Sequence, residues 1–276
     1  MITDRKSQRV LFSLAVLFIL ILGAAAIAAP LVAPYKPTQQ FLVKRFHAPS
    51  VQNLLGTDNY GRDILSRIIF GSRSALIVGI VTVGIALVLG STMGLLAGLG
   101  SRGLDSTVML FMDAILSFPT ILLAITVVSF LGYGLVQVML ALGIISSPVF
   151  ARLVRAETLS IRTEGYVEAA RALGTPPLKI VFKHIIPNML GKVVVQCSVT
   201  FALAIVTEAS LSYLGVGTQP PAASWGLMLK DARNYLVQAP WMAVYPGVCL
   251  ALTVLAFNII GDTLSERLNP RLNGSN

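Results

Sequence analysis

Six apolar runs, separated by polar or proline-containing segments, dominate the pattern of the chain. They cover residues 10–32, 75–99, 114–131, 135–150, 193–214 and 243–260. About 20 apolar residues in a helix are enough to cross the hydrocarbon core of a bilayer. The pattern therefore predicts an all-α polytopic membrane protein with six transmembrane helices, of which the fourth is short.

The first run has two interpretations. It follows the basic residues Arg5, Lys6 and Arg9, and its end, GAAAIAAP, imitates a signal-peptide cleavage site. A secretory signal peptide is therefore one alternative. The uninterrupted run is longer than the apolar core of a signal peptide and long enough to cross a bilayer, which favours a retained span.

Composition supports the membrane class. Of the 276 residues, 55% are hydrophobic and only 12% are charged, whereas a soluble domain carries about 25% charged residues. The net charge is +9. In a membrane protein such an excess orients loops toward the cytoplasm. No basic patch alternates with exposed aromatic residues, so we expect membrane lipid and no nucleic acid among the partners.

Basic residues also predict the orientation. With the N-terminus inside, thirteen of the 21 Lys and Arg residues fall on inner segments and eight on outer segments. This bias predicts both termini in the cytoplasm. The resulting division is a cytoplasmic N-terminus at residues 1–9, a transmembrane domain at 10–264 and a cytoplasmic tail at 265–276. A polar loop at about 157–190 lies on the same side.

Two outer segments contain amphipathic patterns. In residues 34–73, four apolar side chains share one helical face: Ile64, Leu65, Ile68 and Ile69. Asp63 can pair with Arg67 one turn further on. This pattern predicts a helix lying on the outer membrane surface, with a specific binding role as the alternative. Residues 215–242 contain a proline break followed by a second amphipathic helix.

Glycines in the second run predict close helix packing rather than nucleotide binding. Gly90, Gly94 and Gly98 are spaced by four and lie on one helical face, which allows close approach of another backbone. Gly98, Gly100 and Gly103 also match GxGxxG, but a membrane span precedes them where a strand should be. The sequence contains no P-loop, no HExxH and no CxxC, so we expect no catalytic or metal site.

Three acidic residues lie near or within spans, where an ionised side chain costs about 2.5–3.5 kcal/mol at the bilayer centre. Asp113 lies near the inner end of span three, Glu208 lies deeper in span five, and Asp262 closes span six. Asp113 and Glu208 are the translocation-pathway candidates. Asp113 has the inner interface as its alternative, and Glu208 has either a polar cavity or an interhelical hydrogen bond. Pro119 is expected to kink span three.

The stretch EGYVEAARALGTPPLKIVFKHIIPN, residues 164–188, predicts a polar helical hairpin. The helix from Glu164 to Leu173 has one face made of small and aromatic side chains: Tyr166, Ala169, Ala170 and Leu173. Glu164 and Glu168 lie on an adjoining face. Gly174 suits the left-handed position that follows a helix end.

The second arm of this hairpin has its own start and stop signals. Thr175 can cap it, with Pro176 at the first helical position, where a missing N–H group has no cost. Pro187 is expected to end it. A self-contained cytoplasmic loop is one interpretation. Two such short helices cannot bury a core alone, which favours docking on a partner protein.

The same stretch resembles the EAA loop of ABC importer permeases. The matching residues are Glu168, Ala169 and Ala170, then Gly174, then Pro187, while the usual isoleucine three residues before that proline is His184. HIIPN is similar to the peptide and nickel permease subfamily. Three further segments agree: LGTDNYGRDILSR, SLSYLGVGTQPPAASWGLML and LTVLAFNIIGDTLSERLNPRL. Over nearly the whole chain, the sequence resembles the second, C-type permease subunit of such importers.

The resemblance implies a fold, partners and a mechanism. The fold would be that of a type I ABC importer permease in the bacterial inner membrane. The hairpin would couple to a cytoplasmic ATPase through Glu164, Glu168, Ala169, Ala170, Gly174 and Pro187. One or two kinds of ATPase subunit would bind ATP and Mg, with no cofactor on this chain. A second homologous permease subunit and an extracytoplasmic substrate-binding protein would complete the importer.

The resemblance leaves the substrate open among dipeptides, oligopeptides, glutathione-like peptides, nickel and metal chelates. A secondary transporter driven by an ion gradient is the alternative function, and it would predict inverted repeats and helices broken at mid-membrane. A membrane enzyme is the third class, for which the sequence supplies no catalytic constellation. The chain itself is therefore expected to hydrolyse nothing.

Overall fold

The computed structural model describes residues 5–268, so residues 1–4 of the expected N-terminus and 269–276 of the expected tail lie outside the described residues. Within this range, helices account for most of the chain. They are α1 (Arg5–Ile27), α2 (Ala29–Val32), α3 (Ile64–Leu99), α4 (Arg102–Leu116), α5 (Thr120–Leu131), α6 (Leu135–Ile161), α7 (Gly165–Ala172), α8 (Pro177–Ile180), α9 (Ile186–Leu214), α10 (Trp225–Ala232) and α11 (Trp241–Leu268).

Five helical runs of the described chain are long and apolar enough to cross a membrane. They are Ser7–Ile27, Ile64–Leu99, Leu135–Ile161, Pro177–Leu214 and Trp241–Glu266. Helices α4 and α5 together make a sixth candidate, but they meet at an angle of 93°. The expected number of spans is therefore reached only if this bent pair is counted as one.

The prediction of a separate outer surface helix at residues 64–69 is wrong, because α3 runs without a break from Ile64 to Leu99. Asp63 caps this helix by accepting from the backbone N–H of Ser66 at 2.8 Å. It does not pair with Arg67, whose guanidinium lies 3.7 Å from the carboxylate of Asp58 instead. The apolar face packs in a buried cluster with Trp225 of α10, so its amphipathic pattern marks an intramolecular contact.

Two spans extend well beyond their predicted ends where they lead into residues 164–188. Helix α6 continues past residue 150 to Ile161 and contains Pro148. The helical run of span five begins at Pro177, not at residue 193. Pro187 does not end a helix, because it occupies the first turn of α9 after a π-helical turn at Val181–Ile185. Proline is tolerated at such a position because that N–H group has no partner in a helix start.

Span three is broken rather than kinked. Helix α4 ends at Leu116, and Pro119 stands as the residue preceding α5. Proline cannot donate to the preceding turn, so the break falls where the sequence placed a kink. The bend is larger than the predicted kink, because α4 and α5 meet nearly at a right angle.

Helices α3 and α6 form the centre of the bundle, and the predicted glycine face lies between them. A Cβ added at Gly90 would lie 2.3 Å from the carbonyl oxygen of Ser147, and one at Gly94 would lie 2.6 Å from that of Ala151. At Gly98 a Cβ would approach Thr158 to 2.8 Å. Backbone approach of this kind requires glycine, which confirms the packing role of the three residues.

The segment that precedes α3 packs over the N-terminal end of this helix, at the opposite end from Gly98. Arg62 contacts Asp58 at 2.5 Å and Asp231 of α10 at 3.0 Å. The indole N–H of Trp241 donates to the carbonyl of Thr57 at 3.2 Å. These contacts tie the segment that precedes α3 to α10 and α11, so this segment and the adjoining helix ends form one packed unit.

Candidate functional site

The hairpin at residues 164–188 has the turn that its sequence predicts. Helix α7 ends at Ala172, and Gly174 has a φ of +76°. The N–H of Thr175 donates to the carbonyl of Ala170 at 3.1 Å, and that of Gly174 donates to Arg171 at 3.0 Å. This pair of bonds is a Schellman motif, which confirms the left-handed Gly174.

The start of the second arm differs by one residue from the prediction. The cap position is Pro176 and the first helical residue is Pro177, and the arm has no side-chain cap bond. Thr175 belongs instead to the turn. The two adjacent prolines already hold the backbone at the φ that a helix start needs, so a capping hydroxyl is dispensable.

The inner face of the hairpin is anchored on the transmembrane bundle. Val167 and Ile185 are fully buried, and Ile180 is nearly so. They belong to one apolar cluster with Phe150 and Val154 of α6. The hairpin is therefore a continuation of the bundle rather than a free loop, which the sequence did not reveal.

The outer face of the hairpin exposes large apolar side chains. Tyr166 is 47% exposed, Leu173 86%, Leu178 72% and Phe182 68%. Glu164, Glu168 and Ala169 are exposed beside them, whereas Ala170 is half-buried. An apolar surface that is rimmed by charged groups and lies at the end of the bundle is typical of a protein interaction site.

Two further residues of the EAA pattern lie on the second arm. The ring of His184 lies 5.8 Å from that of Tyr166 on α7, so it links the two arms. Pro187 is exposed in the first turn of α9. The structure thus brings Glu164, Glu168 and Ala169 onto the exposed hairpin surface, and Pro187 where the arm joins span five.

Asp113 and Glu208, the pathway candidates, do not meet in one site. Asp113 lies on α4, about half exposed, and pairs with Arg152 at 2.6 Å. Glu208 is only 3% exposed and accepts from the hydroxyls of Ser212 at 2.6 Å and Thr218 at 2.9 Å. The predicted interhelical hydrogen bond of Glu208 is therefore not found, because its carboxylate accepts from Ser212 on the same helix and from Thr218 in the loop after α9.

A bidentate ion pair between Asp105 of α4 and Arg155 of α6 is a feature that sequence reasoning missed. The two contacts are 2.5 and 2.6 Å. The residues are 50 positions apart, and neither occurs in a recognisable motif. Only the placement of Asp105 in the first turn of a helix capped by Ser101 distinguishes it in the sequence. Within the described residues, no group of three His, Cys, Asp or Glu side chains could hold a metal ion.

Replacing Gly174 by alanine should destabilise the hairpin through the backbone alone. A Cβ there meets nothing within 4 Å, so the cost is the left-handed conformation, about 1 kcal/mol. Gly165→Ala is the matched control, because Gly165 is equally open and lacks a positive φ. Hydrogen exchange of the α7 amides should become severalfold faster for Gly174→Ala only. Equal exchange in the two variants would contradict the expectation.

The fold and the sequence also match known proteins. A family model described as "Binding-protein-dependent transport system inner membrane component" matches residues 90–274. Another, described as the N-terminal TM domain of oligopeptide transport permease C, matches residues 5–49. The chain therefore belongs to the family of binding-protein-dependent transport system inner membrane components. It is a multi-pass permease subunit of an ABC importer, which confirms the resemblance to a C-type subunit.

Individual relatives agree over most of their length. The chain is 44% identical to the "Glutathione transport system permease protein GsiD" of Pectobacterium atrosepticum, covering 93% of this chain and 85% of the relative. It is 41% identical to the "Dipeptide transport system permease protein DppC" of Alkalihalophilus pseudofirmus, covering 90% and 81%. Nothing in these matches supports a secondary transporter.

A solved structure shares the fold. One chain of the MetNI methionine ABC transporter, in an inward-facing conformation, superposes with a TM-score of 0.63 at 23% identity. The match covers 75% of this chain and 98% of that chain. The predicted type I permease architecture is therefore confirmed as a fold.

Proposed function

We propose that residues 164–188 dock into a cytoplasmic ATPase subunit and couple ATP hydrolysis to transport by this permease. The observation that carries this proposal is the two-sided hairpin. Its inner face is buried on α6, and its outer face exposes Leu173, Leu178 and Phe182. A surface anchored on one side and apolar on the other can transmit force from a docked partner.

The chain connections favour such transmission. Helix α6 ends at Ile161 and α7 begins at Gly165, so only a short turn separates them. The second arm continues through a π-helical turn into α9. A displacement of the hairpin would therefore act on two spans at once, and closing of two ATPase subunits would rock two permeases between inward- and outward-facing states.

Roles for the individual residues follow from exposure. Glu168 and Ala169 would contact the ATPase directly, and Glu164 would lie at the edge of the contact. Gly174 would set the angle between the two arms, and Pro187 would define where the second arm joins α9. ATP and Mg would be bound by the ATPase subunits, so the permease would contribute no catalytic group.

The substrate class is proposed from the relatives. Those described above are named for glutathione and dipeptide transport. We infer that this importer carries short peptides rather than nickel or a metal chelate. An extracytoplasmic binding protein would deliver the peptide, and a second homologous permease subunit would form the other half of the pathway in the bacterial inner membrane.

Replacing Leu173 or Leu178 by glutamate should release the ATPase. Each change puts a charge into an apolar contact, and central apolar contacts carry most of the energy of an interface. We expect at least tenfold less ATPase to co-purify with either variant and peptide uptake to fall in parallel. Glu168→Lys, which reverses a charge beside Arg171, should weaken retention less.

Val237→Glu is the matched control for this experiment. Val237 is an exposed apolar residue like the two leucines, but it lies near the opposite end of the bundle from the hairpin. ATPase retention should match that of the unchanged protein. Normal retention and uptake in both leucine variants would remove the case for docking at the hairpin.

We propose that both termini and the hairpin are cytoplasmic, as the basic residues predict. Single cysteines at Leu173 and Val237, in a protein with Cys197 and Cys249 replaced, test this orientation. A membrane-impermeant maleimide added to intact spheroplasts should label only the cysteine at 237. Labelling of only the cysteine at 173 would reverse the orientation.

A further inference from the structure

Helix α4 is held against the C-terminal half of α6, the inner half in the proposed orientation, by charged contacts. Arg155 donates from Nε and Nη2 to the two carboxylate oxygens of Asp105, at 2.5 and 2.6 Å. Both side chains are partly exposed, at 32% and 22%. Arg152 makes a single contact of 2.6 Å to Asp113, and both of those side chains are more than half exposed. A bidentate pair fixes orientation as well as distance, so the first contact is the stronger constraint.

A buried apolar cluster lies beside these ion pairs. Val108 and Met112 of α4 form a buried cluster with Ala97 of α3 and Ala151 of α6. Helix α4 therefore rests on α6 through packed side chains and is oriented there by the bidentate pair. Packed interiors transmit displacement because they leave no space for one element to move alone.

The inner half of α6 contacts the hairpin and α4 on different faces. Phe150, Val154 and Ile161 lie in the cluster that buries the hairpin. Ala151 and Arg155 face α4. The same twelve-residue stretch, 150–161, thus contacts both the hairpin that carries the proposed ATPase contact and α4.

The outer half of the bent span follows a different part of α6. Ala124 and Val128 of α5 pack with Val138 and Leu142. Helices α4 and α5 meet at 93°, with Ser117 to Pro119 between them. If the inner half of α6 moves relative to its outer half, α4 follows the first and α5 the second, so the angle between them changes.

We propose that the Asp105–Arg155 pair is the positioning contact through which movement of the hairpin reaches the bent span α4–α5. The inference rests on the proposed function, since it requires the ATPase to act at the hairpin. The pair serves to transmit position and not to bind peptide. Losing it would leave the hairpin docked while α4 no longer follows α6.

The test is the transport stoichiometry of the complete importer in proteoliposomes. Asp105→Asn and Arg155→Gln should each retain the ATPase on purification and still hydrolyse ATP. The number of peptides transported per ATP hydrolysed should fall at least tenfold. Combining Asp105→Arg with Arg155→Asp restores opposite charges at both positions and should bring the ratio back to within about threefold of the unchanged protein.

Arg152→Gln is the matched control, because it removes an exposed, single-contact pair on the same two helices. Its ratio should change less than twofold. A normal ratio in Asp105→Asn and Arg155→Gln would overturn the inference, as would a reversed pair that retains the ATPase but remains tenfold uncoupled. Loss of ATPase retention in the single variants would also overturn it, by making the pair structural.

The outcome separates this inference from the proposed function. If Leu173→Glu releases the ATPase while Arg155→Gln transports with a normal ratio, docking at the hairpin stands and the role of the pair fails. If Leu173→Glu and Leu178→Glu both leave retention and uptake intact, the hairpin is not the docking site and both proposals fail.

Discussion

Replacing Gly90 by alanine is expected to destabilise the bundle more than any other single methyl addition proposed for this chain. The new Cβ would lie 2.3 Å from the carbonyl oxygen of Ser147 and 2.6 Å from the Cβ of Phe150. The first contact is with backbone, which cannot rotate away. Helices α3 and α6 would have to separate along their shared face, where Gly94 and Gly98 make similar approaches.

The expected size follows from overpacking. Additional methyl groups in a packed core destabilise a protein by about 1–3 kcal/mol. The higher helix propensity of alanine offsets only about 1 kcal/mol of this. We expect the melting temperature of the detergent-purified protein to fall by several degrees, with a smaller monodisperse peak in size-exclusion chromatography.

Gly84→Ala provides the control on the same helix. A Cβ at Gly84 meets nothing within 4 Å, so the change adds helix propensity without a clash. Its melting temperature should equal or exceed that of the unchanged protein. Equal melting temperatures for Gly90→Ala and Gly84→Ala would contradict the close approach of α3 and α6 at Gly90.

The glycine face shows what could be predicted from the sequence. Residues spaced by four on one helix must share a face, so the packing role of Gly90, Gly94 and Gly98 followed without knowledge of the partner. Gly174 was equally predictable, because the turn chemistry is local. The apolar runs also located the long helices, although not their ends or the break between α4 and α5.

Other features depend on contacts between distant segments. The face of Ile64 and Ile68 has the same period whether it meets a bilayer surface or Trp225, and only the fold shows that α10 covers it. Helix ends at Ile161 and Pro177 were missed because these helices continue through charged residues beyond the apolar runs. The Asp105–Arg155 pair joins residues far apart in sequence, and no local pattern identifies it.

Glu208 illustrates how a correct class of prediction can have the wrong partner. An acidic residue inside a span requires hydrogen bonds, and the sequence placed these across a cavity or between helices. The structure supplies them from Ser212, one turn further along α9, and from Thr218 in the loop that follows this helix. The hydroxyl of Ser212 donates to Glu208, and the backbone N–H of Thr218 donates in turn to that hydroxyl at 2.8 Å.

This connected set of bonds holds the loop at residues 215–224 against the end of α9. Thr218 contributes a second bond, from its own hydroxyl to Glu208 at 2.9 Å. Gly217 fits closely, since a Cβ there would lie 2.3 Å from the Ser212 hydroxyl oxygen. Removing the carboxylate would leave two buried hydroxyl donors without their acceptor, at about 1–3 kcal/mol each.

Glu208→Leu should therefore release the 215–224 loop, whereas Glu208→Gln should hold it, because glutamine keeps an oxygen that accepts hydrogen bonds. Hydrogen–deuterium exchange of the loop amides should become at least tenfold faster in the leucine variant, and peptide uptake should fall with it. Ser210→Ala is the control on the same helix, since that hydroxyl donates only to the carbonyl of Val206 at 2.8 Å. Exchange of the loop amides in Ser210→Ala should equal that in the unchanged protein. A leucine variant whose loop exchanges as slowly as the glutamine variant would show that the loop is held by packing alone, and that Glu208 contributes nothing to its position.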